Sequence, residues 1–279
     1  MALTVTELED LARLLSESRK KFGANAVERL EKAFAIGSSS EALPIPEEPY
    51  QRGAVFLFPS LSSKPWLDPA DFRTVAKLER AWEKIKDELY SVLHERCGFQ
   101  QYIRTAADQP IDPIFNVPKE WKALYLKKAR EYFPENSALC PVTNSIIADN
   151  PEVADLVIFS ALDPGGHITP HCASYNWVVT AHLGLNIPEN CGLRVGSETR
   201  TWEEGKCLVF DVSFEHEAWN RGDHTRFVLL VNLWHPELTS VEIEVLEQAV
   251  LIIQRQEKVE YLDAVKKKKD QLRGEKWWM

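Results

Sequence analysis

The sequence predicts a mostly β core, built as an antiparallel sandwich, barrel or jelly roll, with helices before and after it. From Asp155 onward, short apolar runs recur at spacings of roughly 8–12 residues, separated by glycine, proline, asparagine and aspartate. On both sides of that region, aliphatic residues recur instead at helical spacing. With 279 residues and 44% hydrophobic content, the chain can bury a full core in one large domain with appendages, or in two small ones.

Residues 1–48 are predicted to be a helical segment followed by a linker. A helix is expected from Thr4 to about Phe34, because Thr4 and Glu7 form a capping-box pattern ahead of leucines at helical spacing. Gly23 is placed to split this stretch into two helices. Prolines at 44, 46 and 49 then mark the linker, since each removes an amide donor and disfavours helix in the residue before it.

Residues 65–135 are predicted to be helical support for the core. Asp68 followed by Pro69 is a strong helix start, because aspartate caps the free amides and proline suits the first helical position. This helix is expected to run to about residue 95 and to bury one apolar face. A second helix is expected over residues 119–132.

The jelly-roll core is predicted over about residues 140–236, within a domain that spans residues 49–240. The apolar runs that we interpret as strands are Leu156–Leu162, Trp177–Leu185, Gly192–Val195, Lys206–Phe210 and Phe227–Trp234. After the core, Thr239 and Glu242 form another capping-box pattern, which opens a helix. That helix and a charged tail make up residues 241–279.

Composition excludes several classes of protein. The net charge of −9 argues against nucleic acid as a partner. No apolar run approaches the ~20 residues needed to cross a bilayer, so no membrane association is expected. The N-terminus lacks a basic stretch followed by an apolar one, which makes the cytoplasm the expected location. The five cysteines form no CxxC pair, so free thiols are expected rather than a zinc knuckle or a disulfide framework.

Four histidines fall inside the predicted β region: His167, His171, His182 and His216. Histidines on neighbouring strands of a jelly roll suit a non-heme iron centre, which usually adds a carboxylate two residues after the first histidine. Here Ala173 occupies that position and cannot bind a metal. From the residues alone, zinc or no metal at all are therefore rivals to iron, and each histidine also has an ordinary interpretation as a core, loop or surface residue.

Arg226 opens the apolar run Phe227–Val231. A guanidinium beside a buried strand needs an anionic partner, because an unpaired buried charge is very costly. A dicarboxylate cosubstrate is one such partner, and a core aspartate or glutamate is the ordinary alternative.

Three runs of sequence in the second half of the chain form one ordered pattern. They are Cys191–Asp211 (CGLRVGSETRTWEEGKCLVFD), Ser213–Asn220 (SFEHEAWN) and Trp234–Leu238 (WHPEL). Upstream of them, Asp163–His167 (DPGGH) and the Pro170-His171 pair continue the same pattern. Together these runs, over about residues 156–240, resemble the aspartyl/asparaginyl β-hydroxylase family.

The resemblance implies an oxygenase that depends on iron(II), 2-oxoglutarate and O2 and is built on a double-stranded β-helix. It implies His171 and His216 as the iron ligands, in a family whose iron is held by two histidines without a carboxylate. It also implies that Ser160, His182 and Arg226 hold 2-oxoglutarate, with Arg226 on the distal carboxylate. In that light Ala173 agrees with the family pattern.

The chain departs from the family on the strand before His182, where the family commonly carries arginines. Val178 and Thr180 occupy those positions here, beside Trp177. We interpret Trp177, Val178 and Thr180 as candidates for the substrate pocket, which would be less cationic than one built for aspartyl residues. A small, rather apolar substrate is therefore expected.

Several alternatives stay open. The same iron centre could perform halogenation, desaturation or rearrangement, since alanine two residues after the first histidine is also the arrangement of some halogenases. It could hydroxylate an aspartyl or asparaginyl residue. Least favoured is a jelly-roll binding protein without catalysis. Nothing in the sequence indicates an oligomeric state.

Overall fold

The computed structural model describes residues 4–38, 49–51, 56–94, 99–101, 121–128, 131–148, 150–173 and 175–253. Its α-helices are α1 (Val5–Phe22), α2 (Ala24–Ser38), α3 (Arg73–Arg80), α4 (Trp82–His94), α5 (Pro134–Leu139), α6 (Pro141–Ile147) and α7 (Ser240–Ile253). Its strands are β1 (Trp66–Leu67), β2 (Gln100–Gln101), β3 (Trp121–Lys128), β4 (Glu131–Tyr132), β5 (Val153–Leu162), β6 (His167–His171), β7 (Val178–Asn186), β8 (Cys191–Val195), β9 (Glu198–Arg200), β10 (Cys207–Asp211), β11 (His216–Asn220) and β12 (Arg226–Trp234).

The strands form two antiparallel sheets. The larger has the order β1-β10-β7-β12-β5-β3-β2, with β4 paired to β3, and the smaller has the order β6-β11-β8-β9. The inner faces pack through one apolar cluster, to which the larger sheet contributes Phe210 and Val228 and the smaller sheet Leu193 and Ala218. This is a double-stranded β-helix, and the predicted mostly β core with helical support is confirmed.

Helices α3, α4 and α6 cover the outer face of the larger sheet. Strand β7 shows why: Val179, Ala181 and Leu183 belong to the cluster that contains Val75 and Leu89 of these helices. The residues between them point to the inner face, because successive side chains in a strand alternate. Both faces of β7 are therefore buried, and the strand reads in the sequence as one continuous apolar run.

The N-terminal helices α1 and α2 pack together with the C-terminal helix α7. Arg29 of α2 lies 3.0 Å from the carboxylate of Glu242, and Lys21 of α1 pairs with Glu244. Their shared apolar cluster also contains Trp177 and Trp234 from the end of the larger sheet. Two segments that the sequence suggested were separate therefore form one helical layer.

Both capping boxes and the break at Gly23 are confirmed. Thr4 and Glu7 form the capping box of α1, and Gly23, at φ +89°, separates α1 from α2. Glu242 closes the second box by accepting from the amide of Thr239 at 2.8 Å. The four described cysteines are free thiols. None of the described helices is long and apolar enough to cross a bilayer.

The helix predicted over residues 119–132 is wrong. The structure has β3 at Trp121–Lys128, paired along its length with β5. Leu124 packs on the helical side of the sheet while Ala123 and Tyr125 pack on the inner side, so no polar alternation marks the strand. Alanine, leucine and lysine favour helix intrinsically, and pairing with β5 overrides that preference.

The single helix predicted from Asp68 to about residue 95 is also corrected. Asp68 does accept from the amide of Ala70 at 2.9 Å, but it caps a 3-10 turn that ends at Asp71. Phe72 is extended, and α3 and α4 follow with a break at Ala81. The linker prolines at 44 and 46 and the tail beyond residue 253 lie outside the described residues.

Gly184 is expected to tolerate no side chain, and this generates a first prediction. A Cβ atom there would lie 2.4 Å from the carbonyl oxygen of Glu203, whose loop is held against β7 by the amide of Gly205. Gly184→Ala should lower the free energy of unfolding by about 1–3 kcal/mol, measured by urea denaturation. Thr199→Ala on exposed β9 is the control. Equal free energies of unfolding for the two variants would contradict the prediction, because the loop at Glu203 would then move without any loss of stability.

Candidate metal and cosubstrate site

His171 and His216 lie opposite each other on the smaller sheet. His171 ends β6 and His216 begins β11, and the two are registered partners in that antiparallel pair. Registered partners share a face, so both side chains point the same way. Their ring centroids are 4.1 Å apart, at an angle of 56°. Folding therefore brings together two histidines that are 45 positions apart in the sequence.

Hydrogen bonds fix the tautomer of both rings. Nδ1 of His171 lies 2.6 Å from the carbonyl oxygen of Thr169, and Nδ1 of His216 lies 2.8 Å from that of Phe214. A carbonyl oxygen only accepts, so in the neutral ring Nδ1 carries the proton and Nε2 carries the lone pair. A backbone carbonyl on the second nitrogen is the usual companion of a metal-binding histidine.

The carboxylate of a common iron triad has no counterpart at residue 173. Ala173 uses its backbone amide to donate to the carbonyl of Val212 at 2.7 Å. Within the part of the chain that the structure describes, no group of three or more histidine, cysteine, aspartate or glutamate side chains is arranged to hold a metal ion. A metal between His171 and His216 would take its remaining ligands from small molecules or water.

Ser160, His182 and Arg226 lie together on the inner face of the larger sheet. They occupy three adjacent strands, β5, β7 and β12, and all are buried. Val228 is registered with Ser160 on one side and with Gly184 on the other, so the three polar residues surround it. Trp121 donates its indole N–H to Ser160 Oγ at 3.0 Å, which leaves the hydroxyl proton of Ser160 to serve as a donor.

Phe210 connects this group to the histidine pair. Its ring centroid is 5.0 Å from that of His182 and 5.5 Å from that of His216. The two sheets therefore present one continuous site, with the histidine pair on one wall and the Arg226 group on the other.

Arg226 is a buried cation. It is 1% exposed and its guanidinium lies over the ring of Trp202 at 4.8 Å. Among the described residues its Nε has no hydrogen-bond partner and no aspartate or glutamate pairs with it, so these residues supply no core carboxylate for it. Burial lowers the pKa of Arg226 to about 10, and the group stays charged at neutral pH.

His182 is neutral in this environment. Burial, the charge of Arg226 and the proximity of His216 lower its pKa well below the usual range. Among the residues that the structure describes, neither ring nitrogen has a hydrogen-bond partner, and the buried indole N–H of Trp202 also lacks one. Buried donors and an uncompensated cation are costly. The residues therefore fit a ligand that brings anionic acceptor oxygens, as a dicarboxylate does.

The three candidates for the substrate pocket do not lie together. Thr180 shares the inner face with His182, two residues away on β7, and donates to Asn232 Oδ1 at 2.7 Å. Trp177 and Val178 instead belong to the apolar cluster beneath α1, α2 and α7, where Trp177 stacks on Tyr175 at 4.7 Å. His167 lies on the outer face of the smaller sheet, away from the histidine pair, and contacts Glu217.

One part of the site was not predicted from the sequence. The turn that carries the Phe214 carbonyl is held by buried Asp211, which accepts from the amide and the hydroxyl of Ser213 at 2.8 and 2.6 Å. Gln51, distant in sequence, donates to the Ser213 hydroxyl at 2.8 Å. Only the Asp-x-Ser spacing hinted at this turn, and nothing in the sequence pointed to Gln51.

Asp211 generates a prediction about pH. Burial raises its pKa to about 7, although the Ser213 hydrogen bonds act to lower it. The pKa of an aspartate in the unfolded chain is near 3.9. Between about pH 4 and 7 the folded state therefore binds a proton that the unfolded state has lost. The stability contributed by Asp211 falls as pH rises through that window. Asp211→Asn should gain stability relative to wild type across it, by up to ~4 kcal/mol. The difference in stability between Asp211→Asn and wild type should become constant above pH 7.

Chemical denaturation at a series of pH values measures this difference. Asp68→Asn, at the exposed cap before α3, is the control and should show no such trend. A constant difference between Asp211→Asn and wild type from pH 4 to 8 would contradict the prediction.

Arg226 generates a prediction about stability. Because its charge is buried without a partner, Arg226→Met should stabilise the protein in the absence of ligands by roughly 1–3 kcal/mol. Arg200→Met, which removes an arginine already paired with Glu198, serves as the comparison in the same urea denaturation. A loss of stability in Arg226→Met would mean that the guanidinium is already well solvated inside the protein.

Comparisons with known proteins identify the family of this chain. The model of the family described as aspartyl/asparaginyl beta-hydroxylase matches residues 79–236, which include all five residues of the two walls. The human aspartyl/asparaginyl beta-hydroxylase is 34% identical over 187 residues, covering 64% of this chain and 24% of that protein. The ornithine lipid ester-linked acyl 2-hydroxylase of Rhizobium tropici is 33% identical over 182 residues, covering 64% of this chain and 63% of that protein.

The chain thus spans about a quarter of the length of the human relative and less than two thirds of the rhizobial one. Among solved structures, a 2OG-Fe(II) oxygenase family oxidoreductase from Burkholderia pseudomallei matches with a TM-score of 0.32 and 12% identity, over 42% of this chain and 69% of that one. That similarity is too low to support a conclusion about function. The family model, in contrast, matches more than half of the chain and contains both walls of the site, and the chain belongs to the aspartyl/asparaginyl β-hydroxylase family.

Proposed function

We propose that the protein is an iron(II)- and 2-oxoglutarate-dependent oxygenase that hydroxylates an unactivated C–H bond of a small, rather apolar molecule. The observation that carries the proposal is the buried guanidinium of Arg226, which pairs with no carboxylate of the described residues and shares its site with a pair of histidines. Membership of a hydroxylase family supports the same reaction class.

In this proposal the two walls of the site have different tasks. His171 and His216 would hold iron(II) through Nε2, since their Nδ1 atoms donate to backbone carbonyls. Ser160, His182 and Arg226 would hold 2-oxoglutarate, with the guanidinium fork on its distal carboxylate. Iron(II), 2-oxoglutarate and O2 together supply the oxidant for C–H hydroxylation, with succinate and CO2 as the other products.

The protein contributes orientation and the exclusion of water. Phe210 lies between the two walls, and Trp202 stacks at 6.0 Å on His182 while it covers the guanidinium of Arg226. In such an apolar enclosure a charge-assisted hydrogen bond from Arg226 is stronger than the same bond in water. The neutral state of His182 avoids a second cation next to Arg226.

The wall around Thr180 supports a substrate without an acidic group. Asn232 donates its amide N–H to Asp155 at 2.9 Å, so its carbonyl oxygen faces Thr180 and accepts the hydroxyl proton. The hydroxyl oxygen of Thr180 then presents only lone pairs to a substrate. It can accept a hydrogen bond from a donor, and it repels a carboxylate. An arginine in this place would have the opposite preference.

The names of the relatives describe two kinds of substrate, an aspartyl or asparaginyl residue and the acyl chain of a lipid. Hydroxylation of an aspartyl or asparaginyl residue is a second candidate, favoured by the 34% identity to the human relative. Ala173 favours halogenation by the same centre, since it leaves a position at which a halide could bind. A binding protein without catalysis is disfavoured, because the chain keeps all five residues of the two walls.

Anaerobic titration with iron(II) and 2-oxoglutarate tests the proposal. A weak visible charge-transfer band should appear, and His171→Ala and His216→Ala should each abolish both the band and succinate formation in air. Arg226→Lys should weaken 2-oxoglutarate binding by about 10- to 100-fold, because lysine cannot replace the charged fork. Arg200→Lys is the matched control and should bind 2-oxoglutarate normally.

A folded wild-type protein that shows neither the band nor succinate would refute the proposal. Product mass, measured with and without chloride, separates hydroxylation from halogenation: only halogenation incorporates chlorine.

A further inference from the structure

The outer face of the smaller sheet carries an ionic network centred on Arg194, which takes no part in the site described above. From β8, its guanidinium donates to Glu217, to Glu215 at 2.8 Å and to the carbonyl of Gly196 at 2.7 Å. The side chains of Arg194 and Glu217 are only 20% and 18% exposed, so water screens this pair less than an ordinary surface ion pair. The two glutamates are the residues immediately before and after His216.

The backbone ladder is irregular beside the same histidine. Strand β11 pairs with β6 at His216 and His171, but the next registered pair is Ala218 with Ile168. Strand β6 therefore carries an extra residue in this interval, and such a bulge disrupts the regular hydrogen bonds. Just after His216, β11 therefore lacks regular pairing with β6, while its pairing with β8 stays regular from His216 to Asn220.

Glu217 spans the irregular interval with its side chain. One carboxylate oxygen accepts from Arg194 on β8, and the other lies 2.7 Å from Nε2 of His167 on β6. The three side chains connect β8, β11 and β6 across the outer face, directly behind the inward-pointing histidine pair. These side-chain contacts connect the irregular β6 side of β11 to its regular β8 side.

We propose that Arg194 is a positioning residue for the metal site. By holding Glu215 and Glu217 it fixes the backbone on both sides of His216, and therefore the direction in which His216 presents Nε2. The inference rests on the proposed function, since the direction of that imidazole matters only if it binds a metal. Arginine suits the task because three of its nitrogens engage three separate acceptors, whereas lysine offers a single point charge.

The test measures the binding of Mn(II) to Arg194→Gln. Binding is detected as the loss of the electron paramagnetic resonance signal of free Mn(II). Affinity should fall about 10- to 100-fold, the usual effect of removing a partner behind a metal ligand. The visible spectrum of the Co(II)-substituted protein should change as well, because the ligand direction changes. Arg194→Lys should recover part of the affinity.

Arg200→Gln is the matched control, because it removes an arginine paired with glutamate from the neighbouring strand β9. It should bind Mn(II) as wild type does. Wild-type affinity and an unchanged Co(II) spectrum in Arg194→Gln would overturn the positioning role, and so would an equal loss of affinity in Arg200→Gln.

His216→Ala separates this inference from the proposed function. If wild type binds Mn(II) no better than His216→Ala, the metal site itself is refuted and the role of Arg194 with it. If His216→Ala abolishes binding while Arg194→Gln does not, only the positioning role is refuted. Should Arg194→Gln fail to fold, Glu217→Gln carries the same test: it should lower the Mn(II) affinity, and wild-type affinity would overturn the inference.

Discussion

A guanidinium buried in an apolar sandwich, with no carboxylate among the described residues to balance it, is the constraint on which the site depends. Arg226 begins β12, the strand between β5 and β7 in the larger sheet, and is 1% exposed. Within the described part of the chain, both nitrogens of His182 and the indole N–H of Trp202 also lack hydrogen-bond partners. The larger sheet therefore stores unfavourable electrostatic free energy that an anionic ligand would relieve.

The smaller sheet meets a different requirement, which is direction. For the proposed metal, each histidine has to present one nitrogen in a fixed direction. The inner side of the sheet orients the rings of His171 and His216 through hydrogen bonds to the carbonyls of Thr169 and Phe214. On the outer side, ionic contacts of Glu215 and Glu217 with Arg194 flank His216. The larger sheet thus holds a buried positive charge, the smaller sheet orients the two imidazoles, and Phe210 contacts residues of both groups.

The sequence predicts the parts of this arrangement that carry a local or periodic signal. Strands β5, β7 and β12 are largely buried and could be recognised as apolar runs, and the capping boxes at Thr4 and Thr239 marked their helices. Strand β3 was mistaken for a helix because its propensities favour helix and its pairing partner lies some thirty residues further on. The family pattern indicated the residues of the site, but not their surroundings.

Long-range contacts explain the remaining differences. Trp177 directly precedes β7 in the sequence, yet it packs in the apolar cluster formed with α1, α2 and α7. The contact of Gln51 with Ser213 depends on tertiary folding alone and has no counterpart in local spacing. The family model matches residues 79–236, whereas Gln51, β1 and the three helices that enclose Trp177 lie outside that range. A fragment cut at the limits of the match would therefore lose side chains that contact the Ser213 turn, a strand of the larger sheet and the helical layer around Trp177.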